Sequence, residues 1–177
     1  VSVTMLGGFS IRVDGNVLTD EINRSQKLWN VLCYLIAHRE RNVPQTEFIE
    51  MFWSEENSTN PTNALKTLLF RVRALLEPLF EEGVEPVLSQ RGSYAWNPAI
   101  ACEVDADRFE ALCQKAKNTE LSDHTRMALY REASELYQGD YLPKLSTEMW
   151  VVPLSTRYHS MYIEAVKAYA ELLEQVQ

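Results

Sequence analysis

The chain has 177 residues, 46% of them hydrophobic, and a formal net charge of -8. That apolar content suits one or two compact domains with a buried core. The longest unbroken apolar run near the N-terminus, residues 31–37, is far short of the ~20 residues that a membrane-spanning helix needs.

The start, "VSVTMLGG", has no basic stretch followed by an apolar one, so it does not read as a signal peptide. It also lacks an initiator Met, which suggests a piece of a longer protein. "VTMLGGFSIRVDGNVL" predicts two short strands, the first broken by Gly7 and Gly8, with a hairpin turn at "DGN". Phe9, Ile11 and Val13 alternate with Ser10 and Arg12, as in a half-buried strand. "RSQKLWNVLCYLIAHRER" follows, with Leu28, Leu32, Leu35 and Ile36 at helical spacing and Ser25 placed to cap the start. Pro44 ends that pattern. Gln45 or Thr46 opens a short helix with Phe48, Ile49, Phe52 and Trp53 on its apolar face. "SEENSTNPTN" reads as a polar loop. The next helix runs from about Pro61, at the favoured first-turn position, to about Leu76, before Pro78. "VLSQRGSYAWNP" predicts a hairpin with Arg91 at its tip. Helix-turn-helix followed by a β-hairpin is the winged-helix order.

Residues 1–98 hold 9 Lys and Arg against 12 Asp and Glu, and residues 99–177 hold 8 against 13. Neither part is basic, which weighs against nucleic-acid binding without excluding it, because binding depends on where the charges sit. After Pro98 three amphipathic patterns appear: "DADRFEALCQKAKN", "SDHTRMALYREASELY" and "LSTRYHSMYIEAVKAYAELLEQ". A loop rich in Gly, Pro and aromatics, "QGDYLPKLSTEMWVVP", precedes the last. Paired helices with aromatic and Ala contacts suggest a tetratricopeptide-like array. The fold class expected is therefore mainly α with small β elements: a winged helix-turn-helix domain at 1–98 and an all-α helical domain at 99–177.

Wound at 3.6 residues per turn, the helix "NALKTLLFRVRALL" gathers Leu65, Leu68, Leu69, Val72, Leu75 and Leu76 into a core stripe. Asn63, Thr67, Phe70 and Ala74 lie opposite. Lys66 and Arg73 flank them on one side and Arg71 on the other. Cations suit phosphates, Asn63 suits an adenine edge, and Thr67, Phe70 and Ala74 suit thymine methyls. A solvent-facing Phe favours an interface, with DNA or with protein. The alternative is an ordinary solvated face. In the wing, Arg91 at the tip suits a minor groove or a phosphate, beside Gln90, Ser93 and Tyr94. Arg24 and Lys27, at the start of the first helix, suit backbone contact or plain solvent. Trp29, Trp53 and Trp96 read as core anchors. Tyr137, Tyr141, Trp150, Tyr158, Tyr162 and Tyr169 read as packing residues, with a peptide groove as the alternative.

The three cysteines, Cys33, Cys102 and Cys113, are odd in number and show no ligand spacing, so neither a disulfide framework nor a metal site is expected. Cys33 and Cys113 read as core, and the whole as a reduced, cytoplasmic protein. His38, His124 and His159 share no local pattern with a Ser, Cys or carboxylate. Asp105 and Asp107 read as a helix start rather than a catalytic pair. The chain reads as a non-enzyme without a cofactor.

"LGGFSIRVDG", "FW" at 52–53, "NALKTLLFRVRALLE", "RGSYAWNP", "VDADRFEAL" and "LYQGDYLPKLSTEMWVVPLSTRYHSMYIEAV" stand in an order and spacing that cover nearly the whole chain. In these segments the chain resembles the N-terminal part of SARP-type bacterial transcriptional regulators, which join an OmpR-like winged-helix domain to a bacterial transcriptional activator domain. The resemblance implies double-stranded promoter DNA and RNA polymerase as partners, a homodimer on tandem repeats, and only the first helices of the activator domain in this chain.

Overall fold

The computed structural model describes residues 1–55 and 59–177. The polar loop expected at 54–63 falls in part on residues 56–58, outside the described residues.

Three strands open the chain, where two were expected: β1 (Ser2–Thr4), β2 (Ser10–Val13) and β3 (Asn16–Thr19). Gly7 and Gly8 end one strand and precede another. Asp14 and Gly15 join β2 to β3 as a two-residue turn with φ of 50° and 106°. Positive φ at both positions is the type I′ requirement, which Asp-Gly meets readily. The chain continues through α1 (Gln26–Ala37), β4 (Val43–Pro44), α2 (Gln45–Trp53), α3 (Pro61–Leu76), β5 (Val87–Gln90) and β6 (Ser93–Trp96). Then follow β7 (Glu103–Val104), α4 (Asp105–Ala116), α5 (Asp123–Leu136) and α6 (Val152–Val176). This is a winged helix-turn-helix followed by a helical domain. The two-residue strands β4 and β7 are too short for any periodicity to show.

The residues fall into two compact units, one of Val1 with Arg12–Ala101 and one of Ser2–Ile11 with Cys102–Gln177. The first unit is built on α1, α2 and α3. Ser25 caps α1, its Oγ accepting from the Leu28 N–H at 3.4 Å. The whole stretch from Leu28 to Ile36 is buried, including Cys33 and Asn30. Phe48, Phe52 and Trp53 of α2 and Leu65, Leu69, Val72 and Leu76 of α3 complete the core. Each such side chain, fully buried, contributes about 1.5–3 kcal/mol of transfer free energy. Leu75, expected in the stripe, is half-buried. The turn between α1 and α2 is tied by Glu47, which accepts from Tyr34 Oη at 2.6 Å and from Arg41 at 2.8 and 3.2 Å. The Arg41 guanidinium holds the Glu47 carboxyl below its ordinary value, and burial pushes the Tyr34 phenol up to about 12.

The second unit takes in the N-terminal strand, which the division expected near Pro98 would leave with the first. Its reason is hydrogen bonding. β1 pairs in parallel with β7, Ser2 opposite Glu103 and Val3 opposite Val104. Beyond the pair, the Asp105 carboxylate accepts from the N–H groups of Met5 at 2.8 Å and Leu6 at 3.0 Å. Burial raises the pKa of that carboxyl, and the three backbone donors, Met5, Leu6 and Ala106, act the other way. The segment continues against the 138–142 loop: Gly7 N–H donates to Asp140 O and Leu142 N–H to Met5 O, both at 2.8 Å. Gly7 has φ +88°, and a Cβ there would lie 2.9 Å from the Gln138 carbonyl carbon. "LGG" and "QGDYL" are therefore two halves of one contact. Around it Phe109, Tyr141 and Tyr158 are buried, and the Tyr137 and Tyr162 rings stack at 4.3 Å. Cys113 is buried and Cys102 half-buried.

Candidate nucleic-acid interface

α3 is a well-specified helix. Asn60 caps it, Oδ1 accepting from the Asn63 N–H at 3.1 Å, and Pro61 occupies the first turn. Pro78 then breaks the pattern in a short 3-10 turn, Glu77–Leu79. With its leucines inward, α3 leaves Asn63, Lys66, Thr67, Phe70, Arg71 and Ala74 exposed. From Asn63 to Ala74 this face runs roughly 16 Å at 1.5 Å per residue, about five base-pair steps of 3.4 Å. A helix with its side chains is about 10–12 Å across, which fits the ~12 Å width of a major groove. Phe70 is 72% exposed. Lys66 and Arg71 pair with no carboxylate among the described residues.

The hairpin beside α3 is held at three points. β5 and β6 pair from Val87 opposite Trp96 to Gln90 opposite Ser93. β4 pairs with the other edge of β6, Val43 opposite Tyr94. At the tip the Gly92 carbonyl accepts from the Gln45 N–H, the first residue of α2, at 2.9 Å. The third tether is Arg73. Its guanidinium donates to Val87 O at 3.4 Å and to Ser89 Oγ at 2.5 Å. The sequence places Arg73 beside the reading face, and the structure spends its donors on the wing strand. It fixes the angle between helix and hairpin.

Arg91 is exposed at the tip with φ +34°, followed by Gly92 at +79°. This is the same two-residue turn as Asp14-Gly15, but with a residue that the left-handed region does not favour. Such strain costs about 1–2 kcal/mol in an L-residue and tends to persist where a side chain serves a function. Tyr94 does not join the exposed group. It is 8% exposed, its ring edge-on to Phe48 at 6.3 Å, because β6 turns that side chain toward the core. Arg24 is exposed just ahead of the Ser25 cap. Lys27 lies over the Trp53 ring at 4.7 Å. The structure thus joins Asn63, Lys66, Thr67, Phe70 and Arg71 on one face, puts Arg91 at the neighbouring tip, and gives Arg73 and Tyr94 to the scaffold. The role of Gln45 N–H at the wing tip had no signal in the sequence, since it depends on a backbone donor.

No group of His, Cys, Asp and Glu among the described residues is arranged to hold a metal ion. No helix among them is long and apolar enough to cross a membrane.

Residues 104–176 match the family described as the bacterial transcriptional activator domain. A solved structure of Mycobacterium tuberculosis EmbR, in complex with a low affinity phosphopeptide, has the same fold over 97% of this chain, with a TM-score of 0.76 and 21% sequence identity. The chain spans 45% of that protein's chain. No curated protein matches the sequence significantly. In this chain the segment that matches the bacterial transcriptional activator domain family, residues 104–176, follows a winged helix-turn-helix.

Proposed function

We propose that the chain binds double-stranded promoter DNA through residues 1–98 and that residues 99–177 are the first helices of an activator domain. The observation that carries this is the capped helix α3 with Asn63, Lys66, Thr67 and Arg71 exposed, next to a hairpin whose tip presents Arg91. In the major groove Asn63 reads an adenine edge, and Thr67, Phe70 and Ala74 pack on methyl groups. Lys66, Arg71 and Arg91 hold phosphates and fix the register. Arg24 touches backbone at the start of α1. Arg73 sets the angle of the wing, and Tyr94 supports it from below. In the same proposal the protein is cytoplasmic, acts as a homodimer on repeated sites and contacts RNA polymerase through its helical part.

A second reading has one observation in its favour. Phe70, the one aromatic residue of α3, is exposed, and the chain is acidic, so the same fold could serve as a protein-interaction module with little DNA affinity. A salt series separates the two. Binding of the purified chain to sheared genomic DNA should weaken linearly in log–log form as salt rises. Lys66→Ala and Arg71→Ala should each lower the slope by about 0.9. No binding at low salt, by a chain that remains folded, would leave the interaction module as the better reading.

A further inference from the structure

Beyond the reading face, the C-terminal half of α3 and the segment leading into β5 enclose an open groove of about 600 Å³. That lies within the ~300–1,000 Å³ of sites that take a small ligand or a few side chains. Its apolar part is Phe70, Ala74, Val84 and Val87. Phe70 and Val84, at 72% and 40% exposure, stand at its lip with their apolar surface in water. Glu77, Glu81, Glu82 and Glu85 also line it. None of these four carboxylates pairs with a cation among the described residues. The cation that lines the groove, Arg73, already donates to Val87 O and Ser89 Oγ.

Charge decides the occupant. Phosphates would meet four carboxylates, with Arg73 beside them already engaged, so the part of the groove beyond Ala74 does not take DNA. A second copy of the chain could reach this rim only through its own Lys66, Arg71 and Arg91 face, and that case would show as self-association. We infer that the groove docks a cationic peptide segment of a partner protein. An apolar side chain of that segment seats against Phe70 and Val84, and its Lys or Arg side chains face Glu81, Glu82 and Glu85. Aromatic anchors in a pocket with a polar rim are the usual build of such contacts. This inference does not require DNA binding: its charges lie at the opposite end of the helix from Asn63 and Lys66, and because Phe70 and Ala74 belong to both surfaces the peptide and DNA would compete for them.

The test uses the purified chain and two short labelled peptides. One has Lys flanking a Leu and Phe core; the other has Glu in place of every Lys. Fluorescence anisotropy at moderate salt should show binding of the Lys peptide and none of the Glu peptide. The variant Glu81→Gln/Glu82→Gln/Glu85→Gln should bind the Lys peptide about tenfold more weakly, the loss of three partly screened contacts. Phe70→Ala should weaken it as well. The control variant Glu120→Gln/Glu171→Gln/Glu174→Gln removes the same charge at exposed sites elsewhere and should bind as the wild type does. Equal loss in both triple variants would show diffuse attraction and overturn the inference. So would equal binding of the two peptides, or self-association of the chain abolished by the groove variant. Unchanged thermal unfolding of each variant keeps the comparison valid.

Discussion

Arg91→Asn should move stability and DNA affinity in opposite directions. Arg91 holds φ +34° in the tip turn that it forms with Gly92. The left-handed conformation costs an ordinary L-residue about 1–2 kcal/mol, and Asn is among the residues enriched there. Replacing Arg by Asn should recover about 0.5–1 kcal/mol, since some cost remains for Asn. For a chain of this size 1 kcal/mol moves Tm by about 2–4 °C, so the variant should melt about 1–4 °C higher. In the proposed complex the same substitution removes one phosphate contact. The slope of log affinity against log salt should fall in magnitude by about 0.9, so that raising salt from 50 to 200 mM costs about threefold less affinity than in the wild type. Differential scanning fluorimetry and anisotropy titrations on sheared duplex supply both readouts. Asp14→Asn, in the matching turn between β2 and β3, is the control and should leave both unchanged. An unaltered or lower Tm for Arg91→Asn would refute the claim of strain. An unaltered salt slope would refute the claim that the tip meets DNA.

Three further substitutions test the scaffold. Arg73→Ala should cost about 1 kcal/mol by releasing Val87 O and Ser89 Oγ. It should also weaken DNA binding with the salt slope unchanged, unlike Lys66→Ala. Gly7→Ala places a Cβ 2.9 Å from the Gln138 carbonyl carbon at φ +88°. Strain and overlap together should cost about 2–4 kcal/mol in chemical denaturation. The Glu47 carboxyl, held below its ordinary value of 4.5 by Arg41, binds fewer protons folded than unfolded in that range. Its contribution is present above pH 4.5 and is lost as pH falls through the lowered value. Glu47→Gln should flatten that part of the stability profile, read from denaturant unfolding at a series of pH values. A variant with the wild-type slope would show that the ion pair does not set it.

The elements with strong internal periodicity were legible before any coordinates. α3 runs Pro61–Leu76 as expected, with its leucines inward, because its cap, its first-turn proline and its terminating proline all lie within the helix or next to it. What stayed hidden were relations between distant elements. A helical wheel puts Arg73 beside Asn63's face, but it cannot know that Val87 O will come within 3.4 Å of the guanidinium. Tyr94 is a different case: it lies two residues from Trp96, which reads as core, so alternation along β6 already puts it on the inner face, where its ring meets Phe48. Gly7 and Gly139 lie in separate segments of the sequence and meet only in the fold: Gly7 Cα is 3.0 Å from where a Cβ on Gly139 would be, and a Cβ on Gly7 would lie 2.9 Å from the Gln138 carbonyl carbon. The net charge hides position for the same reason. A sum of -8 adds Lys66, Arg71 and Arg91 to Glu77, Glu81, Glu82 and Glu85, none of them in an ion pair among the described residues, as though they shared one surface. Along α3 they do not. The cations stand with the reading face and the wing tip, while the carboxylates gather past its C-terminal end. One helix can then offer a phosphate-binding face and a cation-binding groove, and the acidic total counts against neither.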